Sequence, residues 1–377
     1  MKPRYLVPCI KQDLTEKMVF LSGPRQCGKT TLALSLLNGD ETHAAYFNWD
    51  HPADRKKLIA LEFPAHQKLL IFDELHKYKN WRNWLKGVFD KTKSTRQYLI
   101  TGSARLDYYK RSGDALTGRF HHLRLHPLSL NEIDPNCHSQ SLENLMQFGG
   151  FPEPHFKQST RSLKRWQRER MQQVMQEDLR DLERVQEISL IELVVDRLPQ
   201  LVGSPLSINA LREDLNTAHQ TVTKWLVILE RLFVHFRIYP YGAPKIRAVK
   251  KEAKLYMWDW ATVPELGFRF ENLVASHLLK YCHFYEDTEG DTMELRYLRD
   301  TDGREVDFVV LKNKKPLFAV ECKLQDTAIS PALKYFAERT PIPQFFQVHA
   351  GTKDFLEAKH NIRVLPFATF CKEMGLV

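Results

Sequence analysis

Short unbroken apolar runs alternate, through the first 130 residues, with stretches whose apolar positions recur every three or four residues. The runs within Met18–Ser22, Ala44–Asp50, Leu69–Phe72, Arg96–Ser103 and His122–Leu125 do not alternate with polar residues, as strands covered on both faces do. Thr30–Gly39 has helical spacing and a glycine stop. Strands with intervening helices predict a doubly wound parallel α/β sheet.

The pattern changes beyond this region. Gly149–Pro154, "GGFPEP", reads as a loop. The helical stretch Ser159–Val185 is basic in its first half (Arg161, Lys164, Arg165, Arg168, Arg170). Its second half is acidic (Glu177, Asp178, Asp181, Glu183), so it reads first as a solvated face. In Ser204–Tyr241, Ser207 caps a helix with Ile208, Leu211 and Leu215 on one face. After a turn, capped at Thr217 or His219, a second helix buries Val222, Trp225, Leu226, Leu229 and Leu232. A strand follows, then a hairpin carrying Lys245, Arg247, Lys250, Lys251 and Lys254. This is the pattern of a winged helix-turn-helix. Gly303–Gln325 reads as two strands about the turn "KNKKP". Pairing centred on Lys314 sets Asp307 opposite Glu321, with Lys323 on the same face and Val306, Phe308, Val310, Val320 and Cys322 on the other.

Composition narrows the function classes. The 377 residues are 43% hydrophobic and 27% charged, ordinary for folded domains. No run reaches the roughly 18 apolar residues of a membrane helix, and the start lacks a signal-peptide pattern. Six scattered cysteines show no ligand spacing, so reduced thiols and a cytoplasmic location are expected. The net charge of +9 suits a polyanionic partner.

The chemistry starts at "GPRQCGKT", which fits G-x-x-x-x-G-K-[ST] between a strand and a helix. Gly23, Pro24, Arg25, Gln26, Cys27, Gly28, Lys29, Thr30 and Thr31 form the candidate nucleotide cradle. Lys29 reaches the β- and γ-phosphates, and Thr30 sits on Mg²⁺. Asp73 and Glu74, at the end of "LLIFDE", supply a carboxylate for the metal shell and the base for the attacking water. Thr101 or Ser103 is in place to touch the γ-phosphate or the water if that strand lies between the first two. Arg119 is a candidate finger, in cis or from a neighbouring subunit, with a plain surface arginine as the alternative.

"GPRQCGKTTL", "LLIFDELHK", "LITGSA", "LTGRF" and "GGFPEP" occur in the order seen in a widespread family of prokaryotic AAA+-like ATPases, which the chain resembles over nearly its whole length. The resemblance implies ATP as nucleotide, Glu74 as catalytic carboxylate, and Ser103 and Arg119 as sensor-like and finger-like residues. The Asp307, Glu321 and Lys323 arrangement resembles the PD-(D/E)xK nuclease fold, and that analogy adds Glu271 to the site. Such a site holds Mg²⁺ on Asp307 and Glu321; whether it cuts stays open.

The expected organisation is an ATPase core at 1–130, a helical lid or linker at 131–200, a winged helix at 201–258 and a nuclease-like α/β domain at 259–377. Nucleic acid, DNA favoured, is the expected partner, with contacts at His219, Gln220, Thr223, Lys224, Lys245, Arg247, Lys250 and Lys251. Self-association is expected if Arg119 acts in trans. A protein-interaction role for the helix pair remains the alternative.

Overall fold

A computed structural model describes residues 4–102, 116–179, 187–242, 252–325 and 328–376. Ser103, Lys245, Arg247, Lys250 and Lys251 lie outside the described residues. The chain divides into two compact units, Met1–His126 and Pro127–Val377. Among the described residues no helix is long and apolar enough to cross a membrane.

In the first unit, β1 (Met18–Ser22), β2 (Tyr46–Asn48), β3 (Leu69–Asp73), β4 (Gln97–Thr101) and β5 (Phe120–Arg124) form a parallel sheet in the order β2-β3-β4-β1-β5. Helices α1 (Val7–Asp13), α2 (Lys29–Ser35), α3 (Pro52–Ala60) and α4 (Trp81–Thr92) accompany it. β1 is buried at every position, as its unbroken apolar run requires of a central strand. β4 separates β1 from β3, so the end of "YLITG" does lie between the phosphate loop and Asp73. α2 stops earlier than the sequence suggests, and Gly39, at φ +79°, donates its N–H to Leu34.

The second unit holds a mixed sheet in the order β12-β13-β11-β10-β9-β8-β6-β7. Its strands are β6 (His235–Pro240), β7 (Lys254–Met257), β8 (Met293–Arg299), β9 (Glu305–Lys312), β10 (Lys315–Lys323), β11 (Phe345–His349), β12 (Phe355–Glu357) and β13 (Ile362–Pro366). Helices Ile208–Asp214 and His219–Arg231 pack together ahead of β6. Ser207 caps the first, accepting from Ala210 N–H. The second starts from Ala218, whose side chain has no oxygen, and not from a Thr217 or His219 cap. β6 pairs with β7 and also with β8, so these strands share one sheet with the C-terminal region.

Two expectations change here. "GGFPEP" is not all loop: Pro152 opens the short helix Pro152–Lys157. Both glycines are required by contact, since a Cβ on Gly150 would lie 2.4 Å from the Trp260 ring and one on Gly149 2.9 Å from Asp259 Oδ1. The Asp307 hairpin also has apolar cover on both faces. Val309, Leu311 and Ala319, further along the face that carries Asp307 and Glu321, are buried with Leu333, Phe336 and Phe345. Charges therefore sit at one end of that face and a core at the other.

The long helix Leu266–Glu289 carries a pH-sensitive anchor. His277 Nδ1–H donates to the Leu273 carbonyl at 2.8 Å, and Nε2 accepts from Leu130 N–H at 3.0 Å. Only the neutral ring satisfies both bonds. Burial pushes His277 down to about 4, aided by Lys280, with Glu132 opposing. An unfolded histidine titrates near about 6.5. Between those values the unfolded chain binds the extra proton, so stability is complete above the upper one and falls as pH drops through the window. The expected loss is on the order of 3 kcal/mol. Urea unfolding at pH 7.5 and 4.5 measures it, and His277→Gln should flatten the dependence.

Candidate active site

The phosphate loop is built from left-handed backbone. Gly23 has φ +146°, and a Cβ there would lie 2.3 Å from the Leu125 carbonyl. Gly28, at φ +96°, opens α2, and Gln26 also takes positive φ. Such dihedrals turn successive N–H groups to one side of the loop. Lys29 is buried, and its Nζ donates to the carbonyls of Gly23 at 3.0 Å and Pro24 at 2.8 Å. The ammonium thus lies within the loop.

Cys27 ties the loop to distant parts of the chain. Its Sγ donates to the Leu125 carbonyl at 3.6 Å, and its own carbonyl accepts from Arg4 Nη1 at 2.8 Å. Arg4 Nη2 donates to His126 O at 2.6 Å, and Tyr5 OH donates to Arg124 O at 2.8 Å. Residues 4 and 5 therefore strap the loop to the end of β5. Nothing in the local sequence signals this, because the partners are distant along the chain.

Across from the loop, Asp73 accepts three hydroxyls. Thr30 Oγ1 donates to Oδ2 at 2.8 Å, Tyr46 OH to Oδ2 at 2.9 Å, and Thr101 Oγ1 to Oδ1. Burial and the Asp73 charge push the Tyr46 phenol well up, so it stays a donor. Thr101 is committed to Asp73, whereas the sequence also offered it to phosphate or water. Tyr46 was not foreseen. The parallel register Asn48↔Asp73 brings its strand alongside Asp73.

Glu74 leaves β3 with φ +56°, uncommon for a residue with a Cβ, and donates its N–H to Thr101 O at 3.1 Å. Its Oε2 lies 3.5 Å from Lys77 Nζ and 3.6 Å from His76 Nε2. Lys77 in turn bonds Asp50 Oδ2 at 2.5 Å. Burial, then the Asp73 charge, raises the Glu74 pKa, while Lys77, Lys29 and Arg25 oppose the rise. A carboxylate on a sharp turn beside Asp73 is suited to accept a proton from water.

Thr30 and Asp73, with oxygens already in mutual contact, fit the hard-oxygen preference of Mg²⁺. The left-handed loop with its interior ammonium fits a polyphosphate.

Arg119 is placed elsewhere. Its carbonyl accepts from Met18 N–H, so it lies at the amino end of β1, whereas the loop follows Ser22 at the carboxyl end. Five strand residues separate the two ends by about 16 Å. Its guanidinium grips Asp90 through Nε at 2.8 Å and Nη2 at 3.0 Å. A cis contact with the loop is thereby corrected: adjacency to a strand did not say which end.

In the second unit the structure brings Glu271, Asp307, Glu321 and Lys323 into one cluster and adds Lys254, which the sequence had put on an exposed basic hairpin. Lys254 is fully buried. Its ammonium bonds Glu305 Oε1 and lies 3.4 Å from Glu271 Oε1 and 3.8 Å from Asp307 Oδ1. Tyr256 OH donates to Glu271 at 2.7 Å, Cys322 N–H to Asp307 at 2.8 Å, and Lys323 Nζ to Glu321 Oε1 at 2.8 Å. The ladder runs to Val320↔Phe308, and one more step in that register sets Asp307 against Glu321. Burial, with the Asp307 charge next, raises both Glu271 and Glu321. Glu321 Oε2 is buried without a hydrogen-bond partner.

Among the described residues no three His, Cys, Asp or Glu side chains are grouped to hold a metal ion. Lys254 lies 3.8 Å from Asp307, one of the two expected Mg²⁺ ligands, while the other, Glu321, is bonded by Lys323. Lys254 supplies the cation from within the fold.

On helix His219–Arg231, one groove is lined by His219, Gln220, Thr223, Lys224, Val227 and Arg231. The helical candidates thus share a surface, although the Thr223 hydroxyl is taken by the His219 carbonyl at 2.8 Å.

Comparison with known proteins agrees with the first unit. Residues 15–134 match an AAA domain, 139–269 the domain of unknown function DUF8612, and 266–370 the domain of unknown function DUF4143. An uncharacterised protein of Mycobacterium tuberculosis is 23% identical over 320 residues, covering 79% of this chain and 71% of its own. One from Haemophilus influenzae is 22% identical over 360 residues, covering 84% and 85%. Among solved structures, the Aeropyrum pernix ORC1 protein in complex with DNA aligns with TM-score 0.33 and 12% identity, covering 71% of this chain and 91% of that one. The S. cerevisiae Hsp104–ADP complex aligns with TM-score 0.28 and 13% identity, covering 60% and 36%. Likeness this loose says nothing about activity. The AAA match, the strand order and the loop geometry together support an AAA+-like P-loop fold that binds ATP.

Proposed function

We propose that the protein hydrolyses ATP and couples turnover to binding or processing of nucleic acid, DNA favoured. The observation that carries the ATPase reading is Asp73, fixed by hydroxyls from three elements beside the Lys29 loop, with Glu74 next along the chain. Lys29 and the loop N–H groups hold the β- and γ-phosphates, and Thr30 and Asp73 hold Mg²⁺. The ion supplies charge neutralisation for the transferring phosphoryl group. Glu74 orients the attacking water and takes its proton. Ser103 remains the sensor-like residue. Arg119 acts on a neighbouring copy's nucleotide, which makes the working form an oligomer.

The nucleic-acid half rests on the groove of His219–Arg231 and on the basic residues 245, 247, 250 and 251 that follow β6. Phosphate contacts of this kind position without reading sequence. The test is the ATPase rate with and without duplex and single-stranded DNA and RNA at fixed salt. A several-fold stimulation is expected, and an unchanged rate with every nucleic acid would remove the coupling.

One observation favours a second reading, a nucleotide-regulated protein-interaction switch with a non-cutting C-terminal scaffold. Lys254 sets a cation among Glu271, Glu305 and Asp307, beside the place where a nuclease would hold its metal. In that case DNA leaves turnover unchanged and no divalent ion elicits cleavage.

A further inference from the structure

Helix Thr160–Gln173 carries a feature that the proposed function does not use. Arg161, Lys164, Arg165 and Arg168 are exposed, while Leu163, Trp166 and Arg170 are buried. At about 100° per residue, the four basic positions fall within an arc of about 100°, and the three buried ones lie on the opposite side. Among the described residues none of the four has an ion-pair partner, although the flanking Glu169 is exposed on the same helix. Elsewhere in this unit exposed arginines are paired, as Arg197 is with Asp214 and Arg339 with Glu338. Four long cations left unpaired along one line hold their charge available at the surface.

The helix is also held firmly. Ser159 caps it. Arg170 Nη2 donates to the Phe233 carbonyl at 3.2 Å, and its guanidinium lies 4.4 Å from the Phe151 ring centre. Gln167 donates to Asp259 at 2.9 Å. Phe233 closely follows helix His219–Arg231, so the basic line is tied to the element that bears the candidate groove.

We infer that Arg161, Lys164, Arg165 and Arg168 form a second phosphate-contacting surface that grips duplex nucleic acid without reading its sequence. The line spans about 10 Å, over which a duplex presents about six phosphate charges. A straight rigid row suits a polyanion of regular spacing better than a folded acidic protein, whose carboxylates are irregularly placed. The inference rests on the nucleic-acid reading above.

The experiment measures affinity of the full-length chain for a fluorescein-labelled mixed-sequence duplex across a KCl series, by anisotropy. The R161Q/K164Q/R165Q/R168Q variant changes only exposed positions. Its slope of log affinity against log salt should be shallower by about 3 to 4, at about 0.9 for each phosphate no longer neutralised. A variant with wild-type circular dichroism and an unchanged slope overturns the inference. If K224Q weakens binding in the same assay while the fourfold variant does not, this surface alone fails and the nucleic-acid reading survives. If the wild-type chain binds no duplex at any salt, both fail. Poly-glutamate competing as well as duplex would assign the row to an acidic protein instead.

Discussion

Glu74→Gln is expected to lower ATP turnover by about 10²–10⁴-fold while leaving ATP binding in place, the usual contribution of one positioned acid or base. Glutamine keeps the size and one acceptor oxygen but cannot take a proton from water. The backbone turn survives, because it is set by Glu74 N–H bonding Thr101 and by the left-handed φ, not by the carboxylate. Single-turnover hydrolysis, paired with equilibrium binding of a fluorescent ATP analogue, separates the two effects. Unchanged turnover would move the base elsewhere. Lost binding would show that Glu74 has a structural role.

Lys29→Ala has the opposite signature. Its ammonium is the buried cation of the loop, bonded to the carbonyls of Gly23 and Pro24. Hydrogen bonds to charged groups contribute about 1.5–3 kcal/mol, so ATP affinity should fall by roughly 10- to 150-fold. Saturating turnover should fall as well, because the same ammonium would also stabilise charge on the transferring phosphoryl group. Removing the ammonium also leaves two inward carbonyls without their donor, which loosens the loop itself. Lys29→Arg keeps the charge but not the compact shape, and should rescue poorly. Near-normal binding and turnover by the alanine variant would sink the ATPase reading.

The resemblance to AAA+-like ATPases and the site agree most closely where the chemistry is local. Gly23, Gly28, Lys29 and Thr30 fall within eight residues, and Asp73 and Glu74 are adjacent, so spacing alone determined which groups can face a phosphate. Apolar runs without alternation settled the central strands for a similar reason, since burial on both faces is written in composition. The Asp307–Glu321 register, by contrast, depends on a bulge between Pro316 and Phe318, because a plain count outward from the turn pair Lys312↔Lys315 would set Asp307 against Val320.

Tertiary structure decided what depends on distant partners. Lys254 sits among basic neighbours in sequence, yet it is buried against Glu271, Glu305 and Asp307 and puts a cation of the chain's own inside the carboxylate cluster. Arg119 is one residue from a strand of the nucleotide-binding sheet, and only the parallel pairing with Met18 puts it at the far end. Arg4 and Tyr46 carry no motif, but folding sets one under the loop and the other on Asp73. A local pattern specifies which chemical groups the chain owns, because spacing and burial are encoded within a few residues. Which groups meet is set by strand order and packing over separations from 17 to more than a hundred residues, beyond the reach of a local pattern.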